Sequence, residues 1–306
     1  MDKLSYGFLC AEPRRSHVVA LEALGIDSLW AAGHVASGRP DPEAVVVLSH
    51  LAALTSRVIV GTAVLLLPLY PPAIVAKQFM ELDRLSGGRI VLGIGVGGEY
   101  PSEFRALQVP ITERGPRTDE AIDLIRRWWA GGPVDFNGRF WQIEQVSIDP
   151  APVHAGGPPI VVAGRKPPAM RRAALRGDGW MPFLFSPERY AESAAVIRDT
   201  AAAAGRSLAG FQWMCFVYTS IDDDPALARE RALNFIGGAQ AGDGGRFAQL
   251  LDRVAAVGTP AQVGARLQAF VDAGVRHFVF APCERTDVLG AARRLMHDVV
   301  PTLRLP

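Results

Sequence analysis

Arg57–Gly95 reads RVIVGTAVLLLPLYPPAIVAKQFMELDRLSGGRIVLGIG, and its pattern is that of one strand–helix–strand unit. Arg57–Leu67 is apolar and β-branched on both faces, as expected of a parallel strand that is buried on both sides. Pro72–Leu85 has the spacing of a helix, and Arg89–Gly95 is a second apolar strand. Because a helix between two strands lets them run parallel, this unit predicts an α/β fold.

The same alternation extends in both directions along the 306 residues. Eight strands are predicted: Ser5–Cys10, Ser28–Ala32, Arg57–Leu67, Arg89–Gly95, Pro159–Ala163, Gly179–Pro182, Phe211–Ile221 and His277–Ala281. Eight strand–helix units in a chain of this length predict a (β/α)8 TIM barrel, with an open doubly wound sheet as the alternative. We expect a single domain over residues 1–306.

Two stretches interrupt the alternation. Residues 131–159 are predicted to be an insertion, and Asn137-Gly138 between aromatic residues indicates a hairpin there. Gly237–Gly245 is rich in glycine and is predicted to be a flexible loop.

Composition and charge narrow the class of protein. The chain has 32 basic and 31 acidic residues, and a net charge of +1 argues against a nucleic-acid partner. The apolar run Val58–Leu69 is shorter than the roughly 20 residues that span a membrane. Three scattered cysteines argue against a disulfide framework and a zinc site. We expect a cytoplasmic protein, and the excess of Arg over Lys indicates a GC-rich bacterial source.

Gly93–Gly98 matches the Gly-x-Gly-x-x-Gly pattern of dinucleotide-binding loops. That pattern binds a pyrophosphate where a helix begins directly after it. The next helix is predicted only at Thr112–Ala130. We therefore interpret the glycines as a strand end where absent side chains let a flat ligand or another backbone approach closely.

Candidate chemical groups follow predicted strands, at the face where barrels carry their active sites. His34 follows the second strand, although a loop histidine bound only to backbone is the alternative. The six histidines form no paired metal ligands, and no lysine occupies an inward strand position, so neither a metal site nor a Schiff base is predicted. Ala163–Pro168 brings two cations to a helix start, which makes a reasonable anion site, and a surface loop with two exposed charges is the alternative.

Several motifs together resemble the bacterial-luciferase-like oxidoreductases. They are Thr55–Val58, Gly61–Val64, Ala76–Gln78, Leu82–Arg89, Gly93–Gly98, Glu113-Arg114, Gly164 and Gly177–Trp180. The match runs from the first strand to about residue 185 and is weaker in the last third. Its block LDRLSGGR at Leu82–Arg89, followed by the glycine-containing strand, is quite specific.

The resemblance implies a (β/α)8 barrel that binds a flavin or deazaflavin at its carboxyl-terminal mouth. In this family a non-prolyl cis peptide often follows the third strand, and the matching bond is Ala63–Val64. The implied cofactor-binding residues are Thr62, Ala63, Val64, Gly97, Gly98, Ala163, Gly164, Arg165, Gly177, Asp178 and Gly179. The cofactor phosphate is expected between Gly164, Arg165 and the Gly177–Gly179 turn.

Within the family, the pattern is closest to the branch that uses the deazaflavin coenzyme F420. That branch often has an Asp-His pair after strand two and a glutamate after the strand-four glycines. The corresponding residues are Gly33-His34 and Glu99. His34 and Glu99 are the predicted catalytic residues, since imidazole exchanges protons near neutral pH and burial makes a carboxyl group a weaker acid.

The predicted function is hydride transfer between F420 and a small organic substrate. Two alternatives remain, an FMN-dependent monooxygenase and a non-catalytic flavin-binding relative. Six side chains are expected at the mouth and favour a neutral, hydrophobic substrate: Phe8, Trp30, Leu66, Tyr70, Phe183 and Phe185. One candidate assembly is a homodimer.

Overall fold

A computed structural model, which describes residues 3–10, 13–239, 250–284 and 286–306, contains a closed parallel barrel. Its strands are β1 (Ser5–Leu9), β2 (Ser28–Ala31), β3 (Ile59–Thr62), β4 (Ile90–Gly95), β5 (Ile160–Ala163), β6 (Gly179–Met181), β7 (Gln212–Ile221) and β8 (His277–Pro282). Each strand pairs with the next, and β8 pairs with β1 through Ser5 and His277 to close the barrel. The predicted (β/α)8 fold is confirmed.

Helices connect the strands and cover the outside of the barrel. They are α1 (Arg15–Ala23), α2 (Ala44–Leu54), α3 (Pro72–Ser86), α4 (Pro101–Ala106), α5 (Arg114–Trp129), α6 (Pro167–Arg176), α7 (Pro187–Ala203), α8 (Pro225–Ala239), α9 (Pro260–Asp272) and α10 (Val288–Arg294). Several begin with proline, whose missing N–H would have no partner in the first turn in any case.

The region after the strand-four glycines differs from the prediction. The helix expected over Thr112–Ala130 begins at Arg114, because Ile111–Glu113 forms a tighter 3₁₀ turn. In addition, α4 follows Gly98 closely, where no helix was predicted. The glycines nevertheless lie at the end of a barrel strand and not in a dinucleotide-binding unit.

The strand predicted over Arg57–Leu67 is interrupted at its centre. β3 ends at Thr62, the Ala63–Val64 peptide bond is cis, and Leu65–Leu66 forms a short strand beside β4. Thr62 is fully buried, and its hydroxyl donates to the carbonyl oxygen of Gly93 at 2.7 Å. The cis bond is therefore at the position that the family resemblance implied.

The stretch after α5 contains the expected hairpin. Val134–Asn137 and Gln142–Val146 pair antiparallel, and a four-residue loop joins them where a two-residue Asn-Gly turn was predicted. The carboxylate of Glu120 on α5 accepts backbone N–H groups from this loop, among them that of Trp141 at 2.9 Å. This bond fastens the hairpin to the barrel's outer helices.

Two apolar layers hold the barrel together. Side chains from six of the eight barrel strands fill its interior: Trp30, Val91, Val161, Met181, Met214 and Val279. A larger cluster packs the outer faces of the strands against the helices. The layers form because side chains of a strand point alternately into and out of the barrel.

Some sequence expectations concern other parts of the chain. All three cysteines fall in the described ranges, and each is buried outside any disulfide, as predicted. Most of the Gly237–Gly245 loop lies outside the described residues, and Ala256–Gly258 is a short strand beside the end of β7. Within the ranges described above, no helix is both long and apolar enough to cross a membrane.

Candidate active site at the barrel mouth

The floor of the mouth is apolar. Leu9, Ala63, Val64 and Phe216 pack onto the interior cluster but remain only partly buried. They come from the end of β1, the segment after β3, and β7. An apolar floor of this kind suits a flat ring system, because apolar and aromatic side chains supply most of the surface in small-molecule sites.

The mouth is less aromatic than the sequence predicted. Phe8 and Phe185 are buried in the outer packing, and Trp30 is buried inside the barrel. Phe183 is half-buried beside Arg165. Since strand residues alternate between the two sides of the wall, position near a strand end does not by itself place a side chain in the mouth.

His34 lies just after β2 and contacts an acid that the sequence did not single out. Its Nδ1 is 3.2 Å from Oε1 of Glu103 in α4, and the same oxygen accepts the backbone N–H of Val35 at 2.9 Å. Glu103 is fully buried, whereas 28% of the His34 side chain is exposed. A carboxylate oxygen accepts, so this contact is a hydrogen bond when Nδ1 carries the ring proton, and Nε2 is then the nitrogen that is left to accept a proton.

One oxygen of the Glu103 carboxylate has no hydrogen-bond donor in the part of the chain that the structure describes. Its Oε2 is buried, and no described residue donates a hydrogen bond to it. The nearby hydroxyl of Tyr70 donates instead to Glu43 at 2.8 Å. Burial and this bond to Glu43 raise the pKa of Tyr70, so the phenol stays protonated. A buried oxygen without a donor is costly and is a feature that functional sites often carry.

Gly33 explains why the acid beside His34 comes from another part of the chain. A Cβ at position 33 would lie 2.2 Å from the carbonyl oxygen of Pro42, so no side chain fits there without a shift of the backbone. The aspartate that often precedes this histidine in the F420 branch therefore has no room. Glu103 supplies a carboxylate from 69 residues further along the chain.

Glu99 lies on the exposed loop after β4. Its charge acts on Arg165 and Tyr218, which lie on the loop after β5 and on β7. The next residue, Tyr100, makes an edge-on contact with His34, with 4.9 Å between ring centroids. The structure thus brings both predicted catalytic residues to the same face, with His34 half-buried and Glu99 in solvent.

A cationic rim lies near the end of β5. The guanidinium of Arg165 is 4.4 Å from the centroid of the Phe183 ring, and burial lowers its pKa while Glu99 acts in the opposite direction. Arg189 at the start of α7 donates to the carbonyl oxygen of Arg165 at 2.9 Å. Lys166 precedes α6, whose first N–H groups have no side-chain cap. This rim suits an anion, and sequence reasoning missed Arg189.

The turn formed by Gly177, Asp178 and Gly179 lies at the opposite end of the barrel. Asp178 Oδ2 accepts the N–H of Ile160, the first residue of β5, at 2.8 Å. Gly164 follows the last residue of the same strand, so about 13 Å separates them at about 3.3 Å per residue. The prediction that this turn and Gly164 share one phosphate is therefore wrong.

The motif reaches the mouth through its tryptophan. The indole N–H of Trp180 donates to the carbonyl oxygen of Gly164 at 3.1 Å. Gly164 has φ 136°, and a Cβ there would lie 2.5 Å from the Cβ of Ala169. A side chain at position 164 would therefore disturb the loop itself. Substitutions of Arg165 or Arg189 test ligand binding more directly than a substitution of Gly164. Ala163, the last residue of β5, is half-buried beside this loop.

Gly97 and Gly98 form a bare rim after β4. Their φ angles are 63° and 115°, which other residues rarely adopt. A Cβ on Gly97 would lie 3.3 Å from the Leu66 side chain, and one on Gly98 would lie 3.2 Å from Nε of Arg114. Side chains at either position would crowd the space beside the floor.

Comparison with known proteins gives three kinds of match. The sequence profile of the luciferase-like monooxygenases matches residues 12–277. An uncharacterised protein of Mycobacterium tuberculosis is 36% identical over 170 residues, which span 56% of this chain but only 58% of that protein. The F420-dependent glucose-6-phosphate dehydrogenase of Kineococcus radiotolerans is 32% identical over 311 residues, covering 94% of this chain and 91% of the relative.

The fold has close structural counterparts. An F420-dependent secondary alcohol dehydrogenase, solved in complex with an F420–acetone adduct, matches with a TM-score of 0.86 over 99% of both chains. Sequence identity to it is 20%. At this identity the structural match shows a shared fold, while the sequence matches show the family.

Proposed function

The chain belongs to the luciferase-like monooxygenase family, and we propose that it oxidises a small alcohol by hydride transfer to the deazaflavin coenzyme F420. It is an oxidoreductase. The observation that carries the proposal is the pair His34–Glu103, in which a buried carboxylate holds a half-exposed imidazole at the mouth of the barrel. The cofactor is suggested by the F420-dependent dehydrogenase of Kineococcus, which aligns over nearly the whole chain.

The residues of the mouth fit a deazaflavin. The partly exposed floor at Ala63 and Val64 would support the flat ring, with Thr62 buried beneath it. The bare backbone of Gly97 and Gly98 would leave space at one edge. The rim after Ala163, comprising Gly164, Arg165, Lys166 and Arg189, would bind the phosphate. When bound, F420 supplies the hydride acceptor, and the protein supplies orientation and proton transfer.

His34 would take up the proton of the substrate. Oxidation of an alcohol to a carbonyl compound removes a hydride from carbon and a proton from oxygen, so both need an acceptor. Nε2 of His34 would accept the proton, and Glu103 would stabilise the imidazolium that forms. Glu103 is thus a positioning residue. Glu99, exposed at the same face, is the proposed second proton-transfer group and would exchange protons with solvent.

Equilibrium titration of the purified protein with F420, FMN and FAD, followed by optical spectroscopy, tests this proposal. We expect F420 to bind at least about tenfold more tightly than FMN, a difference of about 1.4 kcal/mol. Alcohols should then reduce the bound F420. Preference for FMN with oxygen-dependent product formation would assign the chain to the monooxygenases. Tight binding of F420 without turnover of any alcohol would leave a non-catalytic carrier.

A further inference from the structure

A second cavity opens beside the mouth, between α8 and the segment after β8. Its volume is about 440 Å³, and its lining includes Arg231, Asn234, Phe235, Cys283, Glu284 and Thr286. Tyr218 on β7 lies between this cavity and the floor. Its ring centroid is 6.3 Å from that of Phe235 in the cavity and 5.3 Å from that of Phe216 in the floor. Tyr218 therefore joins the aromatic side chain in the floor to the one in the cavity lining, and the two compartments are neighbours.

The cavity wall carries one cation and one acid, Arg231 and Glu284, and Arg231 has a second acidic partner, Asp222, outside the lining. Nη1 of Arg231 donates to Oε1 of Glu284 at 2.7 Å, and Nη2 donates to Asp222 at 2.8 Å. The hydrogen bond between Arg231 and Asp222 raises the pKa of Arg231 and lowers that of Asp222. One guanidinium between two carboxylates leaves a net charge of −1. Arg231 is consequently committed to its acidic partners and is poorly placed to bind a phosphate.

Glu284 has an acceptor to spare. Its Oε1 receives Arg231 and, at 3.4 Å, the hydroxyl of Ser220. Its Oε2 is buried, and no donor reaches it from the described residues. The side chain is only 11% exposed, so bulk water does little to satisfy that oxygen. Burial raises the pKa of the adjacent Cys283 thiol, which stays neutral and does not add a charge to the wall.

We propose that this cavity receives the remote end of the substrate, where Oε2 of Glu284 accepts a hydrogen bond from a hydroxyl group. The inference rests on the proposed function, because the other end of the same molecule is the one that reacts at His34. It names the substrate class as an uncharged alcohol with more than one hydroxyl group. A phosphate in the cavity would face the Glu284 carboxylate, while Arg231 is already paired with Glu284 and Asp222. An unmatched like charge weakens binding strongly.

This assignment distinguishes the chain from its relative in Kineococcus, whose substrate carries a phosphate. It also revises the hydrophobic substrate predicted from the sequence. The hydroxyl-binding end lies at Glu284, and Phe235 supplies the aromatic surface of the cavity lining.

Matched pairs of neutral and phosphorylated alcohols test the proposal. We would compare glycerol with glycerol 3-phosphate and D-glucose with glucose 6-phosphate, with reduction of F420 as the readout. The neutral member of each pair should have a kcat/KM at least about tenfold higher. Glu284→Gln should raise KM for the neutral member about tenfold, and the Kd of F420 should not change. The ratio of kcat/KM between the neutral and the phosphorylated member should therefore become smaller. Glu192→Gln, which alters an exposed acid on α7, is the control and should change neither.

Three results would overturn the proposal: equal or better use of the phosphorylated members, an unchanged KM in a folded Glu284→Gln protein, or F420 binding without use of any neutral member. Ligand-observed NMR on the cofactor-free protein separates this proposal from the proposed function. If F420 does not bind, selective NMR binding of the neutral members still supports the cavity assignment. Selective binding of the phosphorylated members, or of none, rejects it.

Discussion

The buried carboxylates at the two ends of the barrel differ in how many hydrogen-bond donors they have. At the amino end, the carboxylate of Asp83 accepts the backbone N–H groups of Val153 and His154 and contacts the His154 ring, all within 2.8–3.0 Å. At the carboxyl end, Glu103 and Glu284 each keep one oxygen that no described residue satisfies. A satisfied carboxylate contributes to stability, whereas an unsatisfied one has a hydrogen bond left for a ligand.

The amino end also accounts for the family's LDRLSGGR block. Within it, Arg89 donates to the carbonyl oxygens of Thr55 and Val58, and Asp83 fastens the insertion to α3. Neither side chain lies at the mouth. A specific sequence signature can therefore mark the scaffold of a catalytic barrel, while its chemistry depends on residues outside the signature.

The largest expected effect is on stability at the amino end. Asp83→Ala leaves the N–H groups of Val153 and His154 without their charged acceptor and should lower the free energy of unfolding by about 3 kcal/mol. Urea unfolding measures this change. Asp199→Ala, at an exposed position on α7, is the control and should stay within about 0.5 kcal/mol of the parent. An equal effect of both substitutions would remove the contrast between the two ends.

At the carboxyl end, the corresponding substitution should lower turnover and leave stability largely unchanged. His34→Ala removes the proposed proton acceptor, so turnover at saturating substrate should fall roughly 10²-fold. The Kd of F420 should change much less, and thermal unfolding should confirm that the variant is folded. If the variant instead loses F420 affinity and keeps its turnover at saturation, His34 binds the cofactor and moves no proton.

A third test uses pH and returns to the amino end. His277 is buried against Ser28 Oγ at 2.7 Å, and burial lowers its pKa from 6.5 to about 4. The folded protein therefore resists protonation that the unfolded chain accepts. The contribution of His277 to the free energy of unfolding is complete above pH 6.5 and is lost as pH falls toward 4. Between pH 7 and pH 5 the loss is about 2 kcal/mol.

Urea unfolding as a function of pH checks this sign. The parent should lose more stability on acidification than His277→Gln, which has no imidazole to titrate. Parallel curves for the two proteins would mean that His277 accepts a proton in the folded state.

Glu103→Gln should have a moderate effect. An amide keeps the shape of the side chain but removes the negative charge beside His34, so kcat should fall about tenfold. The Kd of F420 should stay unchanged, and thermal unfolding should confirm that the variant is folded. An unchanged kcat in the folded variant would mean that Glu103 only supports the loop structure.

The smallest effect is expected at the cationic rim. Arg189→Gln should weaken F420 binding about fivefold, because an exposed ion pair contributes about 1 kcal/mol or less. Added salt should reduce the difference from the parent. Arg171→Gln, on the exposed face of α6, is the control and should leave the Kd unchanged. Equal weakening by both substitutions would indicate general charge attraction without a defined phosphate site.

Sequence reasoning predicted the barrel well because its signals are local. Buried parallel strands such as Ile90–Gly95 stand out as apolar runs, and the observed bounds differ from the predicted ones by a residue or two in most strands. The exception is Arg57–Leu67, where apolar character continues through the cis bond and hides the break. Periodicity alone gives no sign of such a bond, and it was placed by family resemblance.

The site was less predictable because its contacts join distant parts of the chain. Glu103 meets His34 across 69 residues, and Glu284 meets Arg231 across 53, so no local spacing marks either pair. One error was avoidable. Gly177 and Asp178 precede β6, which begins at Gly179, and the start of a barrel strand lies at the end opposite the mouth.

The position of Tyr218 between two aromatic neighbours has a consequence for how new specificities arise on this scaffold. The ring stands between Phe216, which belongs to the redox compartment, and Phe235, which belongs to the neighbouring cavity. Random libraries at Asn234, Phe235 and Thr286 can therefore explore other substrates without altering the histidine or the floor beneath the cofactor. Duplicated genes can diverge by the same route, since drift in one compartment leaves electron transfer in the other intact.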